Sequence, residues 1–352
     1  MVMASADARA AFLKSLGLSR DPFTRASAEQ ELQVSIYGAE PERAQAEGIS
    51  LFFEYFTPPP IPIPERRTLL GVLRDPGPAF LYGEPGSGKT MLRLTLEAYI
   101  RLFPEDTLVV SHSLREEDPH ALARDLAIDL FIQITEQERW PLLTSREAEE
   151  TIRQALLPAA PAIARILARL LREPAPEHPL GRALQWPALG RPAVRSFHLS
   201  PASYQFMEIL LSRMEGVPSQ PQNPEVGFDA ARSAGFRRVL ILIDDVDYGR
   251  TPEAMEARLQ PLLAVLPDWH KAGIDLKFFL PTLLRDRIMG RIPIQPCLEA
   301  TIAWDQAALQ RLLIQRFRAA GSRRMGLEDR AGPGPRGQLD ARILSSARGS
   351  PR

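Results

Sequence analysis

The chain has 352 residues, 45% of them hydrophobic, enough to bury a substantial core as one large domain or two ordinary ones. Its 43 lysines and arginines equal its 43 aspartates and glutamates, so no overall field is available to hold DNA or an anionic membrane surface; any nucleic-acid contact would be a local patch. The single cysteine, Cys297, excludes an internal disulfide framework, fits a reducing compartment and reads as a small buried hydrophobe.

The first stretch, Ala4 to Pro64, mixes short helical patterns with the turn-like Asp21-Pro22-Phe23 and ends in Pro58-Pro59-Pro60-Ile61-Pro62-Ile63-Pro64. Proline fixes φ and biases its predecessor away from helix, so this run reads as an extended connector laid across the core surface. Met1 to Gly17 has no long apolar core, and no stretch approaches the roughly 20 apolar residues that span a bilayer; the expectation is a soluble cytoplasmic protein with no membrane partner.

From Glu65 onward short apolar runs alternate with helical patterns, the signature of a parallel sheet wrapped by helices. Five runs predict strands: Ala79 to Tyr82, Thr107 to Ser111, Val239 to Ile243, Leu276 to Leu280 and Ala300 to Ala303. All are near-continuously apolar, as strands covered on both faces should be. Between the second and third lies a stretch too long for a simple crossover, taken as an insertion over about 140–236 that is helical at both ends and loose in the middle. Within it Ala162 to Arg172 has Ile163, Ile166, Leu167, Leu170 and Leu171 at helical spacing, with Arg165, Arg169 and Arg172 on a face expected to be solvated. Tyr204 to Met214 predicts a second helix and Gly216 to Asn223 a polar loop. The last part has a loop over Glu328 to Gly337 and a final helix over Leu339 to Ala347. The expected divisions are a leader and connector at 1–64, a core at 65–305 and a helical segment at 306–352.

The most informative segment follows the first strand. Gly83-Glu84-Pro85-Gly86-Ser87-Gly88-Lys89-Thr90 fits the phosphate-loop pattern G-x-x-x-x-G-K-[ST] in full, with a strand leading in and a helix, starting Lys89-Thr90-Met91, leading out. The glycines let successive N–H groups face inward to cradle phosphates, and the helix N-terminus adds the positive end of its dipole. Lys89 is suited to the β- and γ-phosphates of ATP and Thr90 to a magnesium ion. Nearly every other cation is arginine, the remaining lysines being Lys14, Lys271 and Lys277. A compact ammonium suits a point contact to phosphate better than a planar guanidinium. The second signal is Val239 to Ile243 running into Asp244-Asp245-Val246-Asp247: carboxylates ending a buried apolar strand are costly unless something positive lies near. Asp244 is assigned to the metal through its water shell and Asp245 to orienting an attacking water.

Together these motifs resemble the AAA+ and STAND branches of P-loop ATPases, most closely the origin-recognition-like group. The resemblance implies an α/β three-layer sandwich with a parallel five-stranded sheet in the order 5-1-4-3-2, a long helical insertion and a partial C-terminal helical lid. It further implies a leader at Asp21-Pro22-Phe23 packed near the adenine, Thr282 as the residue sensing the γ-phosphate, and Arg352 or Arg348 as the lid arginine. Arg285, Arg287 and Arg291 lie where such families place an arginine finger, although solvated surface arginines are the default for so arginine-rich a chain. The expected activity is binding and slow hydrolysis of Mg-ATP as a conformational switch, with a protein partner or self-association. A nucleotide-gated module that does not hydrolyse, or one associated with DNA, is the alternative. No histidine pair shows ligand spacing, so no metal beyond magnesium is expected, and Trp140, Trp186, Trp269 and Trp304 read as packing residues.

Overall fold

The computed structural model describes residues 56–64, 67–115, 118–143, 145–172, 199–247, 250–292, 294 and 297–320. Outside them lie Asp21-Pro22-Phe23, the middle of the expected insertion with His178, Trp186 and His198, the Glu328 to Gly337 loop, the Leu339 to Ala347 helix, Arg348 and Arg352.

Five strands form one parallel sheet: β1 (Ala79–Gly83), β2 (Thr107–Ser113), β3 (Arg238–Asp244), β4 (Ile274–Leu280) and β5 (Leu298–Ile302), in the order β2-β3-β4-β1-β5. From the other edge this is 5-1-4-3-2, the order the resemblance implied. Every residue of β1 and β4 is buried, as are all but one end residue of β2 and of β3, so both faces of these strands are covered. The apolar runs account for this, and the register fixes it: Tyr82 sits beside Leu280, Ile243 beside Phe278 and Ser113 beside Asp244. β1 and β3 therefore flank β4, and because all three run parallel their carboxyl ends emerge at the same end of the sheet. Phe80 and Phe278 stack across β1 and β4 with ring centroids 4.7 Å apart.

The helices are α1 (Leu69–Arg74), α2 (Lys89–Leu102), α3 (Ala121–Glu136), α4 (Arg146–Leu156), α5 (Ala160–Arg172), α6 (Pro201–Met214), α7 (Pro224–Ser233), α8 (Pro252–Lys271), the single turn α9 (Arg285–Ile288) and α10 (Gln306–Ala319). Side chains cap many of them: Ser145, Ser200, Asn223, Thr251 and Asp305 each accept the N–H that the first turn leaves unpaired. Three of these helices carry proline at the first or second position, where its missing N–H costs nothing.

The expected insertion is helical where the sequence is periodic. Ile163, Ile166, Leu167 and Leu170 of α5 are buried, whereas Arg165, Arg169 and Arg172 are exposed. Together α4 and α5 with the turn between them, Arg146–Arg172, form a run of 27 residues that is long and apolar enough by composition to cross a membrane, although no single apolar stretch announced it. Its apolar face packs into the core through Ile152, Leu156, Ile163 and Leu167.

β2 lies at a sheet edge, where unpaired backbone groups would be a liability. One row of α3, spaced four residues apart, covers them. Gln133 accepts from the Val109 N–H at 3.1 Å and donates to the Val109 carbonyl at 2.5 Å; Asp129 accepts from the Ser111 N–H at 2.9 Å; Asp125 pairs with the His112 ring at 2.9 Å. Behind this row Arg101 of α2 grips Glu136 with two N–H groups, at 2.5 and 3.1 Å, and pairs with Glu97, which accepts from the Ser111 hydroxyl at 2.6 Å.

By the density of its contacts the chain forms two compact units, one comprising Met1–Leu69, Gly83–Thr95 and Ala300–Arg352, the other Leu70–Tyr82 and Leu96–Glu299.

Candidate functional site

In the first unit the loop Gly83 to Thr90 is built around three glycines. Gly86 and Gly88 adopt φ of 84° and 93°, in the left-handed region that favours glycine. Gly83 is required by space: a Cβ there would lie 2.3 Å from the Ser87 hydroxyl and 3.4 Å from the Ile302 Cβ. The turn closes with the Ser87 N–H donating to the Glu84 carbonyl at 3.0 Å, and α2 begins as the Leu92 N–H reaches the Gly88 carbonyl at 2.9 Å. Glu84 and Pro85 are exposed, whereas Ser87 is 3% exposed and Lys89 8%. The Lys89 ammonium donates to the Gly83 carbonyl at 2.7 Å and the Glu84 carbonyl at 3.2 Å. Met91 follows on the first turn of α2, where its carbonyl accepts from the Thr95 hydroxyl at 2.7 Å.

Two features fit a bound polyphosphate. The loop closes on glycines at positions where any side chain would strain the backbone or collide, and the buried Ser87 hydroxyl has no hydrogen-bond partner among the described residues. A buried hydroxyl without a partner is costly and marks a place where a polar group is wanted. Trp304, just beyond β5, completes this unit's loop: its indole N–H donates to the Ser87 carbonyl at 2.8 Å. Sequence reasoning saw Trp304 as packing only, and the 217 positions that separate it from Ser87 leave no local signal.

In the second unit β3 ends in Asp244, buried to 5% exposure. Its Oδ1 accepts from the Asp245 N–H at 2.9 Å, and its carbonyl accepts from the Leu114 N–H at 3.0 Å. Asp245 has φ of 60°, left-handed backbone that aspartate tolerates better than most residues. Its carboxylate accepts from the Ser113 hydroxyl at 2.9 Å and faces the Arg115 guanidinium at 3.8 Å. The turn after β2 that supplies these partners is held by Arg250, which donates to the carbonyls of Leu114 and Arg115 at 2.5 and 2.7 Å. Asp245 is thus tied to β2, a partnership no sequence spacing announces.

Thr282 begins the turn after β4, and its buried hydroxyl has no partner among the described residues. The three candidate finger arginines are exposed and paired: Arg285 with Glu299 at 3.4 Å, Arg287 with Glu253 at 2.7 Å, and Arg291 with Glu256. Cys297 is half-buried against the core, and burial together with Glu299 pushes its thiol up. Trp140 stacks on Phe206 at 5.1 Å and Trp269 meets Phe228 edge-on at 5.1 Å, so both pack as expected. Set against known proteins, the chain matches no protein-family model and no curated protein.

Proposed function

We propose that the chain binds Mg-ATP as a P-loop ATPase of the AAA+ or STAND kind and uses the bound nucleotide as a conformational switch. The observation that carries this reading is the loop Gly83 to Thr90: a complete phosphate-loop sequence between a buried strand and a helix, closed on glycines and holding a buried hydroxyl that lacks a partner among the described residues. In this reading Lys89 leaves the carbonyls of Gly83 and Glu84 for the β- and γ-phosphates, and Ser87 and the loop's N–H groups take the remaining phosphate oxygens. Thr90 and Asp244 are assigned to magnesium, which when bound supplies charge neutralisation at the phosphates.

The test is Lys89→Ala assayed by calorimetry with Mg-ATP. Losing a hydrogen bond between charged groups predicts affinity lower by about a hundredfold. Equal affinity, or no uptake by the unaltered protein, refutes the proposal.

One observation favours a second reading, retention of ATP without useful turnover. Asp245 accepts from Ser113 and faces Arg115, so its carboxylate is already engaged on the side of β2. Asp245→Asn keeps the left-handed backbone and an acceptor for Ser113 while removing the charge. If Asp245 orients water, turnover drops by about a hundredfold or more; equal turnover in both removes Asp245 from the chemistry, and tight uptake of Mg-ATP with no phosphate release by the unaltered protein selects the second reading.

A further inference from the structure

We propose that Trp304 is a positioning residue of the phosphate loop, its indole N–H setting the direction in which the Gly88 N–H points. This rests on the reading of the loop as a triphosphate cradle. A trans peptide carries its carbonyl and its N–H on opposite sides. The Ser87 carbonyl and the Gly88 N–H belong to one peptide, so the 2.8 Å bond from Trp304 Nε1 to the Ser87 oxygen holds the Gly88 N–H turned the opposite way. At φ of 93° Gly88 has more conformational freedom than other residues, and without an anchor this peptide is the one best able to flip.

Two further loop carbonyls are also held on donors. Gly83 and Glu84 oxygens accept from the Lys89 ammonium, and the Glu84 oxygen also accepts from the Ser87 N–H. An exposed carbonyl oxygen would repel a phosphate, and the oxygens of Gly83, Glu84 and Ser87 are each held on a cationic or N–H donor instead. Lys89 must leave its two carbonyls to meet a phosphate, whereas Trp304 has no such competing role and remains as the fixed anchor.

The anchor is itself stiffened. Ile302 lies against Gly83, so residues on either side of Ala303 brace the loop. Asp305, the next residue after Trp304, caps α10 by accepting the Ala308 N–H at 2.7 Å. Burial of the ring does not by itself demand this bond. Trp140 is 1% exposed and its N–H finds no partner among the described residues, while Trp304, at 8%, spends its single donor on the loop.

Trp304→Phe keeps an aromatic ring and removes the donor. The expected result is an affinity for Mg-ATP weaker by about tenfold with an unfolding midpoint close to that of the unaltered protein. If the unaltered protein takes up Mg-ATP and Trp304→Phe takes it up equally well, the positioning role falls and the phosphate-loop reading stands. If the unaltered protein takes up none, both fall. Should Trp304→Phe fail to fold, 5-fluorotryptophan placed at position 304 alone keeps the N–H and reports on it in the otherwise unaltered protein. Its fluorine resonance is expected to move on titration with Mg-ATP and to stay fixed in the Lys89→Ala background; no movement at saturating Mg-ATP overturns the proposal.

Discussion

At the amino ends of β3 and β4, every charge that is buried has found a partner. Asp275 accepts from the Gly77 N–H at 2.9 Å and from the His270 ring at 2.7 Å on one oxygen, and from Arg238 at 2.9 Å on the other. Lys277 donates to the carbonyls of Asp75 and Gly77 at 2.9 and 2.5 Å. At the carboxyl ends of β1 and β4, by contrast, the buried hydroxyls of Tyr82 and Thr282 have no partner among the described residues. Unsatisfied buried polar groups are rare because each costs about 1–3 kcal/mol. The hydroxyls of Tyr82 and Thr282 lie at the ends where α/β sheets commonly bind ligands, whereas Asp275 and Lys277 toward the opposite ends are paired.

The largest effect should come from the satisfied end. Burial pushes the Asp275 carboxyl up, but Arg238, His270 and the Gly77 N–H outweigh it and hold it below its ordinary value. Removing one partner of a buried ion cluster leaves the others uncompensated, so Asp275→Ala should cost about 3–5 kcal/mol in urea unfolding while leaving the affinity for Mg-ATP unchanged. Gly83→Ala should do the reverse: the new methyl meets the Ser87 hydroxyl, costing about 1–3 kcal/mol in stability and most of the nucleotide binding. Equal binding by Gly83→Ala, or lost binding by Asp275→Ala, would break the division between the two ends.

This division also marks what the sequence could reveal. The strand, glycine turn and helix around Gly83 to Thr90 were legible because their signals lie within consecutive residues. The five strands were legible as apolar runs, but their ends were not: Arg238 and Asp244 belong to β3, and Ile274 and Asp275 to β4, because parallel neighbours continue the ladder through them. Asp275 ends an apolar run only until Gly77, 198 positions away, supplies its N–H. The 20 residues of α8 carry Pro261 and Pro267 internally, a pattern that argues against helix from sequence alone. Distant partnership likewise hid Ser113 from Asp245 and Trp304 from Ser87.

A smaller effect sharpens the comparison through pH. Burial pulls the Lys277 ammonium down to about 8, against the opposing pull of Asp275. In the unfolded chain it returns to its ordinary 10.5, so between about pH 8 and 10.5 the unfolded state binds more protons than the folded one. Stability contributed at this position therefore rises with pH across that window, by about 1–3 kcal/mol. Lys277→Met should lack this rise. The readout is the difference between the two proteins' unfolding free energies at pH 7.5 and 10, which cancels groups that titrate equally in both.

The smallest effect belongs to the arginines after β4. Arg285 is 46% exposed and meets Glu299 at 3.4 Å, a surface pair in water where side-chain entropy and screening offset the attraction. Arg285→Ala should shift unfolding by no more than about 0.5 kcal/mol and leave Mg-ATP affinity unchanged. An arginine acting across to a neighbouring subunit would show itself differently, as turnover per molecule that climbs with protein concentration in the unaltered protein and stays flat in Arg285→Ala. The glutamate partner supports the surface reading, because an arginine finger serves best when its guanidinium is not already committed to a carboxylate of its own chain. Turnover that is independent of concentration in both proteins is the expected outcome, and a flat profile confined to Arg285→Ala would reassign this arginine to the binding end of the molecule.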